Sequence, residues 1–167
     1  MSRGVGVKGA VLVSLVLCVL AVAATSGAAV KPQTISLLEV EGSFVGTGGL
    51  DENFDKPPTA GQGFVLESDF YKWNGTKRGK HAGTLEVVCT FTKINVEQFA
   101  ASLICTGAAL LPGGQITIAG RIKEANLFDI PIVGGTGIYA GARGYVRVKN
   151  IGGENSNNSA DTIVITG

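Results

Sequence analysis

Two glutamates in the middle of the first predicted strand have side chains suited to acid–base chemistry. Glu39 and Glu41, in the segment LEVEGS, are two positions apart and therefore share one face of a strand. A carboxyl group held inside an apolar interior has a raised pKa and can act as an acid or a base. The alternative is that this face is a polar surface. The pattern therefore makes Glu41 a candidate catalytic residue, provided that its face of the strand is buried.

Tyrosines and loop acids supply candidate ligand contacts. The candidates are Tyr71, Tyr139 and Tyr145, whose hydroxyl groups could stand at the mouth of a pocket, and the lid acids Asp51 and Asp55. The alternatives are ordinary packing with a hydrated hydroxyl for each tyrosine and solvation for the two acids, which lie in the loop Gly46–Pro58. The sequence therefore predicts polar groups around a small-molecule site without selecting among them.

A glycine-rich segment, Pro131–Val146, reads PIVGGTGIYAGARGYV. No Lys-Ser/Thr pair follows the glycines and no amphipathic helix pattern comes after them, so neither a P-loop nor a dinucleotide-binding loop fits. The pattern instead predicts that the glycines supply tight turns and strand bends.

Composition argues against several classes of site and partner. The chain beyond residue 29 carries 12 Lys and Arg against 13 Asp and Glu. This balance provides no net electrostatic attraction to nucleic acid or to an anionic membrane. One histidine and two cysteines in that part do not make a structural zinc set. With no nucleophile motif and no cofactor loop, we expect no metal and no cofactor.

The first 29 residues resemble an export signal. Arg3 and Lys8 precede the apolar run Ala10–Ala24, which is short for a membrane span, and small residues follow at 26–29. We expect cleavage after Ala29, leaving residues 30–167 as one secreted, extracellular domain that has no membrane attachment. The alternative is an uncleaved signal anchor.

Cys89 and Cys105 are predicted to form a disulfide. An even cysteine count in an exported chain favours pairing. Folding Gly83–Lys93 and Ala100–Leu110 as an antiparallel hairpin with the two cysteines opposite each other also aligns apolar side chains on one face. A redox-active pair is the weaker alternative, because the C-x-x-C spacing is absent.

Eight segments rich in β-branched and aromatic residues predict eight strands separated by turn clusters. They are Thr34–Val45, Gly61–Tyr71, Gly83–Lys93, Ala100–Leu110, Gln115–Lys123, Phe128–Val133, Gly144–Ile151 and Ala160–Thr166. Short, evenly spaced strands predict an all-β fold, an eight-stranded antiparallel up-and-down barrel that can hold one small ligand. A β-sandwich remains the alternative. Asn74 and Asn157 begin glycosylation sequons.

From Ile35 onward the chain resembles the allene oxide cyclase and dirigent-protein superfamily. Ile132–Tyr145, IVGGTGIYAGARGY, is similar to the dirigent signature V-V-G-G-T-G followed by an aromatic residue and A-R-G-Y, and Asp129 precedes it as an acidic residue does there. Leu110–Gly120, LLPGGQITIAG, resembles the glycine hairpin and strand of that family.

The resemblance implies a secreted barrel that forms a homodimer or homotrimer, located in the apoplast or cell wall if the source is a plant. Dirigent proteins bind phenoxy radicals made by a separate extracellular oxidase and guide their coupling to one stereoisomer. Allene oxide cyclases isomerise an unstable epoxide. The resemblance also implies roles for Glu41 as the pocket glutamate, for Arg143 as a residue that holds a phenolic oxygen, and for Asp129 as a ligand contact. By alternation alone, however, Arg143 shares a water-facing side with Arg147 and Lys149, unless a bend at Gly141 or Gly144 intervenes.

The sequence departs from both family patterns. Gly61–Phe64, GQGF, lacks the arginine of the dirigent strand, and Ser68 and Ile122 replace the asparagine and tyrosine of the cyclase pocket. Dirigent-like guidance of a hydrophobic or phenolic ligand is therefore favoured. An isomerase or cyclase and a binding protein without chemistry are the alternatives.

Overall fold

The computed structural model describes residues 30–95, 100–123, 125–152 and 157–167, and it forms a closed antiparallel barrel. The strands are β1 (Gln33–Thr47), β2 (Gly63–Trp73), β3 (Arg78–Asn95), β4 (Ala100–Leu111), β5 (Gly114–Lys123), β6 (Leu127–Gly135), β7 (Gly144–Asn150) and β8 (Ser159–Ile165). A short 3-10 turn, Gly137–Tyr139, follows β6. All eight predicted strands are present, and closure excludes the sandwich. The predicted signal, residues 1–29, lies outside the described residues.

Pairing of the first and last strands closes the barrel. Each strand pairs with its neighbour in the chain, and β1 also pairs with β8, where Leu37 lies opposite Asp161 and Glu39 opposite Ser159. Successive strands run in opposite directions, so the β1–β2 and β7–β8 connections leave one end, here called the upper end. The β2–β3 and β6–β7 connections leave the lower end. No described residue belongs to a helix long and apolar enough to cross a membrane.

Alternation along each strand separates the interior from the outer wall. On β3 the side chains of Leu85, Val87, Cys89 and Phe91 are buried, whereas the residues between them are exposed. This period of two is what a half-buried strand requires. The interior is therefore a packed core made by one face of every strand.

A register shift on β1 adjusts this alternation near the upper end. Glu41 lies opposite Ser68, but the next paired residue is Ser43, opposite Glu67, so Gly42 is the extra residue of a bulge. A Cβ atom at position 42 would lie 3.1 Å from the Glu67 carbonyl oxygen, which favours glycine. The bulge lets both Glu41 and Phe44 belong to the inward-facing side of β1.

The disulfide between Cys89 and Cys105 is present, in the predicted register. Both cysteines are buried, and Phe91 lies opposite Leu103 beside them. The bridge therefore joins β3 to β4 inside the barrel.

The glycine-rich segment forms turns and a strand entry, as predicted. Gly137 and Gly144 have φ angles of 60° and 137°, which side chains rarely allow. A Cβ atom at Gly144 would also collide with the Val164 carbonyl oxygen of β8. These glycines allow the backbone at the start of β7 to pack closely against β8.

Candidate functional site

Four polar side chains are buried together with the apolar interior. Glu39 on β1, Ser68 on β2, and Ser159 and Asp161 on β8 are 7%, 1%, 3% and 1% exposed. All lie on three adjacent strands, because β1 pairs with both β8 and β2. These four residues are called the interior polar cluster below.

Strand alternation places the acids inside. On β8 the buried residues are Ser159, Asp161, Ile163 and Ile165, and those between them are partly exposed. Asp161 lies between Leu37 of β1 and Val148 of β7, both buried. The same period that turns the isoleucines inward therefore turns the aspartate inward.

One serine hydroxyl links the two carboxyl groups. Ser159 Oγ lies 3.0 Å from Glu39 Oε2 and 2.5 Å from Asp161 Oδ1. The hydroxyl has a single proton and can donate to only one of these oxygens at a time. Asp161 Oδ2 is buried, and no described residue donates a hydrogen bond to it. An ionised Asp161 would thus carry a buried charge with too few donors.

The surroundings favour a proton on Asp161. Burial raises the pKa of the Asp161 carboxyl well above its usual range, and the negative charge of Glu39 raises it further. A hydrogen bond from Ser159 acts in the opposite direction, while one with Glu39 adds to the rise. No cation among the described residues forms an ion pair with either acid. When it is protonated, the Asp161 carboxyl is a hydrogen-bond donor as well as an acceptor.

Exposure increases from this cluster toward the upper end. Asp161 is fully buried, Glu39 nearly so, and Glu41, two positions further along β1, is half-buried. Asn157 Nδ2, in the β7–β8 connection, donates a hydrogen bond of 3.1 Å to Glu41 Oε1. Ser68, opposite Glu41, keeps a buried hydroxyl with no partner in the described part of the chain. Polar groups thus extend from the interior to the rim.

Solved structures with the same architecture include the following three proteins. A pyocyanin demethylase matches with a TM-score of 0.61 and 19% identity, over 79% of this chain and 99% of the other. An exo-specific intermolecular Diels-Alderase matches with a TM-score of 0.63 and 16% identity, over 82% and 99%. The pterocarpan synthase dirigent protein PsPTS1 matches with a TM-score of 0.59 and 18% identity, over 81% and 93%.

The fold is that of dirigent proteins and related cyclase barrels. The resemblance predicted from the sequence is therefore confirmed for the fold. No family model matches the chain, and no curated protein matches its sequence.

Two of the predicted site residues lie at the lower end of the barrel. Arg143, in the β6–β7 connection, is exposed, and its Nη1 donates to the carbonyl oxygens of Val133 and Ala142, both at 2.9 Å. Tyr139 is buried in the 3-10 turn, and burial raises the pKa of its hydroxyl. The structure therefore does not bring Arg143 to Glu41.

Three further predicted residues lie on the outer wall. Asp129 receives two hydrogen bonds from Arg147, at 2.8 and 2.9 Å, and these lower the pKa of its carboxyl. The Arg147 guanidinium also lies 5.1 Å from the centre of the Tyr145 ring. Tyr71 packs under Arg78, whose guanidinium carbon is 3.4 Å from the ring centre. All three make surface contacts rather than lining the interior.

The remaining candidates are in connections. Asp51, half-buried in the β1–β2 connection at the upper end, accepts a hydrogen bond from the Asn53 amide at 3.2 Å, and Asp55 is exposed there. Asn74 caps the β2–β3 turn by accepting from the amides of Thr76 and Lys77. Asn157 is exposed, whereas Ser159, the hydroxyl residue of its sequon, belongs to the buried cluster.

Of the interior polar cluster, Glu39 was a candidate from the sequence, whereas the burial of Asp161, Ser159 and Ser68 was not predicted. One signal for Asp161 was present, because it alternates with Ile163 and Ile165 on β8. Within the described ranges, no group of three or more His, Cys, Asp and Glu side chains could hold a metal ion.

Proposed function

We propose that this chain is a secreted, dirigent-like barrel that binds a small hydrophobic or phenolic ligand at its upper end and guides the coupling of phenoxy radicals. A separate extracellular oxidase removes one electron and one proton from each phenol. Two radicals then form one new bond, and the barrel fixes the faces on which they meet. The barrel itself needs no oxidant for this role.

The observation that carries the proposal is the buried carboxyl pair. A protonated Asp161 beside Glu39 offers a directional donor and an acceptor in surroundings where water does not compete. Ser68 adds a buried hydroxyl that is free to bind an oxygen atom of a ligand. An apolar interior with a few convergent polar groups is the usual composition of a small-molecule site.

The expected location and assembly belong to the same proposal. The short apolar run before residue 30 and the buried Cys89–Cys105 bridge both fit an exported protein. We propose cleavage near Ala29, a homodimer or homotrimer, and glycosylation at Asn74 where the host has that pathway. The apoplast or cell wall is the proposed location in a plant.

A coupling assay tests the function. The exported protein is mixed with a phenol oxidase and a monolignol-type phenol, and the products are separated by chiral chromatography. We expect an enantiomeric excess with unchanged total phenol consumption, and loss of that excess in Glu39→Gln and Glu41→Gln. Arg143→Ala, at the exposed lower end, should keep it and change stability by less than about 0.5 kcal/mol. Racemic products from the wild-type barrel across several phenols would contradict guidance.

The raised pKa of Asp161 also favours a second candidate, an isomerase or cyclase that uses Asp161 as a general acid. In that reaction the Asp161 proton moves to a ligand oxygen as the ring closes, and a proton returns when the product forms. Asp161→Asn separates the two functions, because the amide keeps a hydrogen-bond donor but cannot transfer a proton. Guidance should survive this change, whereas cyclisation of a reactive epoxide should stop. A variant that binds ligand normally and alters no product would indicate a binding protein instead.

A further inference from the structure

Four phenylalanine rings form a chain of contacts at the upper end. The ring centres of Phe54 and Phe44 are 5.9 Å apart, those of Phe44 and Phe64 are 5.0 Å apart, and those of Phe64 and Phe91 are 6.1 Å apart. Phe54 is exposed, Phe44 and Phe64 are half-buried, and Phe91 is buried. The rings therefore lead from solvent into the core.

The strand register explains why the middle rings meet. After the bulge at Gly42, Phe44 lies opposite Leu66 and Gly46 lies opposite Phe64, so the two phenylalanines are diagonal neighbours on the inward-facing side. Their planes differ by only 28°, a stacked arrangement. Glu41 precedes the same bulge on the same side of β1. The stacked pair therefore lies close along the strand to the rim of the interior polar cluster.

The outermost ring is held at a conformational cost. Phe54 has a φ of 56°, and it is the one residue other than glycine with positive φ in the described part of the chain. Its amide donates to the Asp51 carbonyl oxygen at 3.0 Å, which fixes the turn. Asn or Gly would adopt this backbone more easily, and 48% of the phenylalanine is exposed, so burial does not offset the strain. A ring at this position needs another reason.

We propose that Phe54, Phe44 and Phe64 form a stacking subsite for a flat aromatic ring of the ligand. The spacings and tilts of the three rings are those of favourable aromatic pairs, so a fourth ring can join the chain in the same way. The ligand's oxygen would then point along β1 toward Glu41 and Glu39. This second half rests on the proposed function, whereas the stacking contact does not.

Two probes with the same carbon skeleton, one a flat aromatic molecule and the other saturated, test the subsite. 2-Naphthol and trans-decahydro-2-naphthol have the same carbon skeleton and one hydroxyl each, and calorimetric titration of the full exported chain gives both dissociation constants. We expect 2-naphthol to bind at least tenfold more tightly. Phe54→Leu and Phe44→Leu should each reduce that preference by about two- to tenfold, which corresponds to the usual interaction energy of one aromatic pair. Ile138→Ala removes an apolar side chain that is 63% exposed at the lower end, so it should leave the preference unchanged.

The Phe54→Asn variant tests whether a reduced preference arises from a folding defect rather than from loss of the ring. This variant relieves the backbone strain, so its melting temperature should equal or exceed that of the wild type while the aromatic preference falls. Equal affinity for the two probes, no binding of either, or an unchanged preference in both leucine variants would overturn the subsite. Glu39→Gln should weaken the binding of both probes, because both carry the hydroxyl. A preserved preference with no effect of Glu39→Gln would contradict the carboxyl site and leave the stacking subsite standing.

Discussion

The two halves of the barrel interior are built in different ways. On β3, β4 and β5 the inward side chains are apolar, and the Cys89–Cys105 bridge joins the first two of these strands. On β8, β1 and β2 the interior includes Asp161, Glu39 and Ser68 among the apolar residues. One half is suited to holding the fold, and the other carries groups that are costly to bury and useful for chemistry.

This difference shows how a small barrel can tolerate a polar interior. Buried acids are stable only when they are neutral, paired or hydrogen-bonded. Here the Ser159 hydroxyl lies within hydrogen-bond distance of both carboxyl groups, and burial favours a proton on Asp161. Isoleucines on β8 and Leu37 on β1 surround them and exclude water. The comparison predicts that changes in the two halves will have different pH dependence.

The largest effect is expected from removing the bridge. The double variant Cys89→Ala/Cys105→Ala should lower the free energy of unfolding by about 3 kcal/mol, because the unfolded chain regains the freedom of a closed loop of this size. This loss of stability should be nearly independent of pH between 5 and 8, since neither alanine titrates. Urea unfolding of the oxidised wild type and the variant measures it. Equal midpoints and slopes for the two proteins would mean that β3 and β4 need no covalent link.

A smaller and strongly pH-dependent effect is expected from Asp161→Asn. The unfolded aspartate titrates near about 3.9, and the folded one titrates higher. Between these pH values the folded state binds a proton that the unfolded state lacks, so wild-type stability falls as pH rises, by up to about 1.4 kcal/mol per pH unit. Asparagine does not titrate, so the stability of the variant relative to that of the wild type should increase with rising pH. Parallel stability curves from thermal unfolding across that window would contradict a protonated Asp161.

The smallest effect is expected from Asp129→Asn on the outer wall. The pKa of Asp129 is lowered by its hydrogen bonds to Arg147, so its contribution is present above the ordinary aspartate pKa and is lost as pH falls through the folded value. Both partners are exposed, and such pairs contribute little to stability. The variant should therefore be slightly less stable than the wild type at neutral pH, and this difference should shrink as pH falls through the folded pKa of Asp129, the opposite pH trend to Asp161→Asn. A loss of stability at neutral pH as large as that of the disulfide variant would show that the outer wall is more than a solvated surface.

Much of the fold was predictable because it depends on local patterns. Alternating residues and turn clusters located all eight strands within a few residues at each end, apart from β3, which begins earlier, at Arg78. The hairpin register followed from aligning Cys89 with Cys105, since the apolar neighbours then share a face. These inferences need only short-range periodicity and one cross-strand pairing.

The candidate site was harder to predict because closure creates it. Ser159 and Glu39 are 120 positions apart in the chain, and they meet only when β8 pairs with β1. The sequence pattern of β7 correctly indicated that Arg147 and Lys149 face outward. The same alternation favoured a water-facing Arg143, and Arg143 is exposed in the connection that precedes the strand. Ser68 occupies the position of the cyclase pocket asparagine and alternates with apolar residues on β2, but serine has no strong preference for burial that would single it out.

The most direct test of the account is the protonation state of Asp161 in the folded barrel. Aspartate labelled with carbon-13 at Cγ reports ionisation through its chemical shift, and the Asp161→Asn variant assigns the resonance. We expect the Asp161 signal to titrate well above about 3.9, the ordinary value, while the Asp129 signal titrates below it. If both aspartates titrate together near 4, the interior carboxyl pair holds no proton at neutral pH and the proposed site is wrong.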